Sequence, residues 1–64
     1  MYQIQFAGYQ PIRYSEPDES PLEHIQDADE AWDIIQSALM SDPDAAGWHH
    51  GEAGGEDFQV RNLA

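Results

Sequence analysis

The chain has 64 residues, among them 13 acids, two arginines and no lysine, which gives a formal net charge of -11. This length predicts one domain, residues 1–64, with a thin core, because domains this small bury only about 60% of the surface that the unfolded chain exposes. A hydrophobic content of 41% excludes a disordered acidic tail, and the lack of cysteine excludes disulfides and thiolate metal sites.

The apolar residues are too scattered for a membrane role. No run approaches the roughly 18 apolar residues of a membrane span, and the N-terminal residues have neither the basic region nor the apolar run of a secretory signal. An anionic bilayer would also repel this chain. Since small secreted domains usually depend on disulfides, the sequence predicts a cytoplasmic protein.

The first predicted element is a strand over residues 2–6. Its apolar side chains alternate with two glutamines, which is the period of a strand with one buried face and one face in water. Residues 10–14 predict a second strand at the sheet edge, because Pro11 cannot donate to a strand ladder. The polar, proline-containing residues 15–21 that follow predict a loop.

An amphipathic helix is predicted over about residues 28–41. Apolar side chains recur there at the spacing of one helix face, and Asp27 can cap the first turn. An earlier start at Ser20, with proline and glutamate in capping positions, predicts only a short turn or extended piece over 22–26. Asp42 ends the helix, because a residue before proline is disfavoured in helical geometry.

The last part of the chain predicts a hairpin. Residues 48–50 form a short strand, the glycine-rich residues 51–55 a flexible connection, and residues 58–61 a strand of alternating apolar and polar side chains. One helix packed on a small antiparallel sheet of about three to four strands follows, which is an α+β fold. The predicted core consists of Ile4, Phe6, Ile12, Leu22, Ile25, Ala31, Trp32, Ile35, Leu39, Phe58 and Val60.

The three histidines form no recognisable metal motif. His49 and His50 are adjacent, and neighbouring residues of a strand point to opposite faces. His24 and Glu52 complete a site only if the fold brings them there. The spacings H-x-x-x-H and H-E-x-x-H do not occur. We therefore predict surface histidines, with no bound metal and no cofactor.

Catalysis also lacks a sequence signal. General acid–base chemistry requires one carboxyl group in an apolar pocket beside another that stays ionised, whereas almost every acid here lies on a polar face or in a loop. No serine has the context of a nucleophile elbow, and the acids around Gly54 and Gly55 would repel a phosphate. Direct nucleic-acid binding is disfavoured too, because it depends on cations. The sequence predicts a non-enzyme.

Acids cluster around the predicted helix without an interleaved lysine. Three ordinary explanations compete: carboxylates favour a helix N-terminus, high charge keeps small proteins soluble, and an acid-rich composition suits a high-salt cytoplasm. Asp33 does not fit the first explanation, because it lies beyond the first turn and repels Asp29 and Glu30. The unrelieved acids therefore favour a surface that binds a basic partner.

Such a carboxylate array can imitate the phosphates of a nucleic acid. Carboxylates spaced about 5 to 6 Å apart along a helix can dock in a basic channel and release counterions. Exposed aromatics such as Tyr9, Tyr14 and Trp48 are candidate anchors beside it. The predicted partner-binding residues form a main charge line and an auxiliary loop patch. They are Glu23, Asp27, Asp29, Glu30 and Asp33 in the line, and Glu16, Asp18 and Glu19 in the patch.

In length, acidity and strand–helix–strand pattern, the whole chain resembles the small acidic inhibitors that phages and mobile elements carry against host defence. It is similar above all to DNA-mimicking anti-CRISPR proteins that block type I, Cascade-type complexes, and also to inhibitors of restriction enzymes and DNA glycosylases. The resemblance implies that the chain occupies a basic DNA-binding groove of a host protein or ribonucleoprotein, by steric and electrostatic competition in the host cytoplasm. No shared motif assigns individual residues.

Two other interpretations remain open at this point. One is an antitoxin-like or regulatory module that binds its partner through an apolar patch around Trp48 and the hairpin of 48–60. The other is an acidic domain of the halophile type, in which the charge has no specific partner. The chain is predicted to be a monomer or a weak homodimer, since an edge near Tyr9 to Tyr14 could pair with a second copy.

Overall fold

The computed structural model describes residues 1–15 and 19–63. These residues form four strands and one helix: β1 (Tyr2–Phe6), β2 (Ile12–Tyr14), α1 (Ala28–Leu39), β3 (His49–Ala53) and β4 (Glu56–Asn62). The strands make one antiparallel sheet in the order β2-β1-β4-β3, and α1 packs across β3 and β4. The predicted α+β class is therefore confirmed. No helix in this described part of the chain has the length and apolarity needed to cross a membrane.

The centre of the sheet is the pair β1 and β4, the first and last strands of the chain. Ile4 lies opposite Val60, and both side chains are fully buried under α1. The glutamines of β1 lie on the other side of the sheet, as the alternation predicts. Beyond the two strands, the backbone N–H of Leu63 donates to the carbonyl of Met1 at 2.9 Å, which extends the pairing by one further bond.

β2 is shorter than the predicted strand over 10–14, because it begins only at Ile12. The residues before it belong to the turn that follows β1, where the N–H of Tyr9 donates to the carbonyl of Phe6 at 3.0 Å. Pro11 has no N–H with which to extend the ladder. Pairing with β1 therefore starts at Ile12, which lies opposite Ile4.

Ile12 and Tyr14 exchange the positions that the sequence predicts for them. Ile12, expected in the core, is 45% exposed, and Tyr14, expected as an exposed anchor, is only 3% exposed. The cause is the position of α1 over the opposite half of the sheet. The ring of Trp32 reaches across to β2, where its centroid lies 6.2 Å from that of Tyr14, while Ile12 stays exposed.

The helix α1 begins where the sequence predicts and ends two residues earlier than expected. Asp27 is its N-cap, with a carboxylate oxygen that accepts the backbone N–H groups of Asp29 and Glu30 at 2.9 and 3.5 Å. At the other end, Ser41 donates from its backbone N–H and its hydroxyl to the carbonyl of Ala38. This bonding closes the last turn after Leu39, before the Asp-Pro pair is reached.

The C-terminal hairpin has a much tighter connection than the predicted flexible segment of 51–55. β3 continues to Ala53, and the turn consists of Gly54 and Gly55 alone, both with positive φ. Gly51 lies within the strand, because a Cβ there would stand 2.7 Å from the ring of Phe58. The glycine that suggested a loop therefore provides space for an aromatic ring.

The core lies between α1 and the sheet. Of the predicted core, Ile12 is wrong, while Phe6, Ile25, Trp32 and Leu39 are half-buried against the buried cluster. Tyr14 and Ala38 belong to the core without having been predicted there. The buried residues are Ile4, Tyr14, Leu22, Ala31, Ile35, Ala38, Phe58 and Val60.

Candidate functional site

The predicted acids that the structure describes are all exposed. They do not form one continuous line on the helix, because they belong to three local structures: the turn before α1, the helix cap and the helix itself. Glu16 and Asp18 lie outside the described residues. The exposed ones are Glu19, Glu23, Asp27, Asp29, Glu30 and Asp33.

Three of these acids, Asp29, Glu30 and Asp33, form what we call the outer helix face. Helical geometry projects them away from the side of α1 that carries the buried residues Ala31 and Ile35. Asp33 follows Asp29 by four residues and Glu30 by three, so their Cβ atoms are neighbours at about 5 to 6 Å. The outer helix face is therefore a compact group of carboxylates on a rigid element.

Asp27 has a different role from the outer helix face. Its carboxylate is already engaged by two backbone N–H groups at the start of α1, and the positive end of the helix dipole stabilises its charge. Asp27 is thus explained by the stability of the helix. Its place in the predicted charge line stays a prediction, and a carboxylate that caps a helix has fewer free lone pairs for a partner.

Glu23 lies in the turn that precedes α1 and joins a cluster that the sequence did not predict. Donor atoms of Glu23, His24 and Glu56 lie within 4.8 Å of one another. The sequence allowed His24 and Glu52 to complete a site only if the fold brought them together, and Glu52 instead pairs with Asp57 on the opposite side of the sheet. Two of the three residues are exposed and Glu56 is half-buried. Three donors are one fewer than a closed structural zinc site requires, and we assign no cation to them.

The tight β3–β4 turn brings Glu56 to His24. A Cβ at Gly54 would stand 2.9 Å from the Cβ of His24, so the turn packs directly on the segment before α1. The spacing of residues 24 and 56 in the sequence does not predict that they lie close together. The contact depends on a turn of two residues, which is shorter than the predicted connection of 51–55.

Both arginines lie on the side of the sheet that faces away from α1. Arg13 lies opposite Gln3 in the β1–β2 pair, and Arg61 lies opposite Gln3 in the β1–β4 pair. The Nε of Arg61 donates to Gln3 Oε1 at 2.9 Å, and its Cζ lies 4.3 Å from the centroid of a Trp48 ring. The two cations are thus separated from the outer helix face by the thickness of the fold.

We call this side of the sheet the open face. A second hydrogen bond connects it, from Gln59 Nε2 to Gln5 Oε1 at 2.7 Å. Its strand residues are polar throughout, in agreement with the predicted alternation. They are Gln3, Gln5, Arg13, His50, Glu52, Asp57, Gln59 and Arg61.

Within residues 1–15 and 19–63, the only ion pair joins His50 to Asp44, with 2.8 Å between Nε2 and Oδ2. Asp44 also accepts the backbone N–H groups of Ala46 and Trp48 at 2.9 and 3.0 Å. The His50 contact, followed by the backbone bonds, lowers the pKa of Asp44 below its ordinary value of 3.8. No carboxylate of the outer helix face has a comparable set of partners in the described chain.

The histidines of β3 diverge, as adjacent strand residues should. His49 lies opposite Val60 on the helix side, and its Nδ1 is 2.7 Å from the carbonyl of Ser41. His50 lies opposite Gln59 on the open face, where it contacts Asp44. Each ring therefore has its own local partner, and the two do not share one.

The three candidate aromatic anchors differ in how exposed their rings are. Tyr9 is 73% exposed, as predicted, and borders an open groove of about 300 Å³ with Phe6, Glu23 and Glu56 in its lining. Tyr14 is buried, which removes it from the surface. Trp48, half-buried, is covered on one ring face by Arg61.

The apolar patch expected around the hairpin is largely used inside the fold. Phe58 and Val60 face α1 and are buried, and Trp48 packs against the Arg61 guanidinium. The hairpin surface that remains is mainly polar.

Comparison of the chain with protein-family models, with curated proteins and with solved structures finds no match.

Proposed function

We propose that this chain is a non-catalytic inhibitor that occupies a basic DNA-binding groove of another macromolecule with its acidic surface. The outer helix face, Asp29, Glu30 and Asp33, is the centre of the proposed interface, with Glu23 and Glu19 beside it in the preceding segment. On the resemblance in size and charge, the proposed partner is a host defence complex of the kind that anti-CRISPR proteins block, and the proposed location is the host cytoplasm.

The observation that supports this proposal is the separation of opposite charges. A fold selected for stability alone would place a cation beside Asp29, Glu30 or Asp33, since each like-charge pair on a helix costs a few tenths of a kcal/mol. Both arginines instead lie on the open face, where they contact or oppose glutamine. The outer helix face is left with its full negative charge.

The proposed mechanism is competition without chemistry. Carboxylates held on a helix present charges to a groove that normally neutralises phosphates, and binding there releases the counterions of both surfaces. Because α1 is held by a buried apolar side, little conformational entropy is lost when its outer side binds. The groove is then closed to DNA by steric overlap and by charge.

The antitoxin-like alternative has less support than the sequence suggested. It requires an apolar patch on the hairpin of 48–60, where the large apolar side chains Phe58 and Val60 are buried against α1. A partner that docks there would meet mainly polar groups of the open face. The alternative therefore needs another surface of the chain.

The test compares two variants with the same net charge. The first neutralises the outer helix face with Asp29→Asn, Glu30→Gln and Asp33→Asn; the control neutralises three exposed acids elsewhere, Asp42→Asn, Glu52→Gln and Asp57→Asn. Each is used to capture binding proteins from the host, and duplex DNA is then added as competitor. We expect the control to bind as the wild type does, and the first variant to bind at least about tenfold more weakly, with a shallower salt dependence.

Two results would contradict the proposal. One is equal capture of the same partner by both triple variants, which would show that the outer helix face is not the contact. The other is a captured partner that duplex DNA does not displace, which would show that the chain does not occupy a DNA-binding groove.

A further inference from the structure

The open face carries both arginines of a strongly acidic chain. Its strand residues include Arg13 and Arg61 together with two acids, Glu52 and Asp57. Asp44 also reaches this face, where its carboxylate contacts a histidine of β3, and the other ten of the thirteen acids are elsewhere in the sequence. Two copies of this chain repel each other at long range, and the open face is where close approach costs least.

The charges of the open face are also arranged in order along β4. Asp57, Gln59 and Arg61 alternate with buried residues and therefore project from the same side of the strand. The acid lies at the hairpin end, the cation at the opposite end, and the uncharged amide in the middle. This order is self-complementary when a second β4 runs antiparallel to it, because each cation then faces an acid.

We infer that the open face is the contact surface for a second copy of this chain, in a two-fold symmetric, face-to-face dimer. The symmetry axis lies between the sheets, across the strands, and passes close to Gln59. Arg61 of each copy then faces Asp57 of the other, and the same patch serves both copies, as a two-fold interface requires. The outer helix faces of both copies point away from the contact.

The groups on the open face are suited to such a contact. Arg61 donates to Gln3 through its Nε, and its terminal amino groups make no hydrogen bond within residues 1–15 and 19–63, so that they can pair with a carboxylate of the second copy. Its stacking on Trp48 holds the guanidinium in place, so less side-chain entropy is lost on pairing. Arginine and tryptophan are also the residue types most often found at the energetic centres of interfaces.

The expected association is weak and depends on concentration. A sheet of four strands, about 4.8 Å apart and about 3.3 Å per residue long, offers less area than the roughly 800 Å² per partner of a standard interface. Long-range repulsion between two acidic copies opposes it further. Sedimentation equilibrium at physiological ionic strength, where charges are screened within about 8 Å, and at high protein concentration is the appropriate measurement.

The decisive variant is Asp57→Arg, because the two explanations of any self-association predict opposite signs for it. If only net charge mattered, removing negative charge would tighten the dimer. In the proposed pairing, the new arginine of each copy faces Arg61 of the other copy, so the dimer contains two repulsive arginine pairs. The dissociation constant should therefore rise about tenfold. The substitution also places an arginine opposite Glu52 within the same hairpin, which favours the fold.

The exchanged variant, Asp57→Arg with Arg61→Asp, keeps the net charge of the wild type and restores the complementary order. It should recover dimerisation to within about threefold of the wild type. Arg13→Glu is the control for charge on the open face, since Arg13 lies in the edge strand β2 and none of the described strands places an acid opposite it in the dimer. It should weaken association less than Asp57→Arg does.

Three outcomes would overturn the inference: a wild-type chain that stays monomeric throughout, a tighter dimer for Asp57→Arg, or an exchanged variant that does not recover. Circular dichroism establishes that each variant is folded. If loss of the Trp48 contact unfolds the exchanged variant, the sign of the Asp57→Arg effect decides alone. None of these results depends on whether the outer helix face binds a basic partner.

Discussion

The chain has two polar surfaces on opposite sides of one core, and they differ in whether their charged side chains have partners. On the outer helix face, Asp29, Glu30 and Asp33 stand together without a cation. On the open face, the cations oppose or contact glutamine amides, and three acids lie on or beside it: Glu52, Asp57 and Asp44. The net charge of -11 is therefore unevenly distributed over the described surface, and the open face shows that the fold can accommodate cations.

The two surfaces are held apart by the apolar layer between α1 and the sheet. A substitution that removes part of this layer is expected to lower the free energy of unfolding more than any other change considered below. Ile35, fully buried under the sheet, should lose about 2 to 5 kcal/mol of unfolding free energy when changed to alanine. A chain of this length has only roughly 3 to 10 kcal/mol in total, so the variant should lose a large fraction of its stability. Chemical denaturation followed by circular dichroism measures the loss.

Ile12→Ala is the matched control for the same chemical change. Ile12 is 45% exposed at the end of β2, and we expect a loss of about 0.5 to 1 kcal/mol. Equal losses for the two variants would mean that α1 covers β2 as well as β3 and β4. The division of the molecule into a covered and an open side would then need revision.

The next comparison lies within the acids of α1, where one charge supports the helix and another opposes it. Asp27→Ala removes the N-cap and should cost about 1 kcal/mol. Asp33→Ala removes one repulsion with Asp29 and one with Glu30, and alanine favours the helix, so it should gain about 0.5 to 1 kcal/mol. Both variants lose the same charge, which makes the sign of the effect a test of position.

The measurement is the melting temperature of the two variants at low and high salt. The gain from Asp33→Ala should shrink as salt rises, because repulsion between exposed charges is screened, while the loss from Asp27→Ala should change less. If the melting temperatures of both variants change in the same direction, total charge determines the stability of the helix and the position of the charge does not. A gain in stability combined with loss of partner binding for Asp33→Ala would indicate that this acid is kept for binding.

A large part of the fold could be predicted because local patterns determine it. The alternation in residues 2–6 and the cap at Asp27 are readable from neighbouring residues, and the helix stripe identifies Ala31 and Ile35 as core. The errors at Ile12 and Tyr14 have a tertiary cause. Both residues lie on the helix side of the sheet, and only the position of α1 and Trp32 decides which of them is covered.

The sequence predicts which acids belong to the candidate site, but it does not predict which side chains each charged group contacts. Composition shows a surplus of acids, but it does not show that Arg61 contacts Gln3 and Trp48, because that depends on strands 58 residues apart in sequence. The contact between His24 and Glu56 is equally non-local, and it requires a two-glycine turn. Strand register, which is a non-local feature, and the packing of the hairpin turn on the segment before α1 decide which charges have partners.

The smallest expected effect concerns Asp44, the acid whose partners contrast most with those of the outer helix face. Its pKa is lowered by His50 and by two backbone N–H groups, so the folded state binds the proton more weakly than the unfolded state does. The resulting stabilisation is complete above the ordinary value of 3.8, and it is lost as the pH falls through the lower folded pKa. Asp44→Asn cannot titrate, and the difference in unfolding free energy between wild type and variant should shrink as the pH falls below about 4.

Urea unfolding of both proteins over this pH range provides the measurement, and His50→Ala provides the control. Without His50, the largest cause of the lowered pKa is removed, so the contribution of Asp44 should be smaller and its loss should occur over a narrower pH range near 3.8. A difference between wild type and Asp44→Asn that does not vary with pH would show that the carboxylate is not selectively stabilised. In that case Asp44 would resemble the acids of the outer helix face, and the contrast between satisfied and unsatisfied carboxylates would fail at this position.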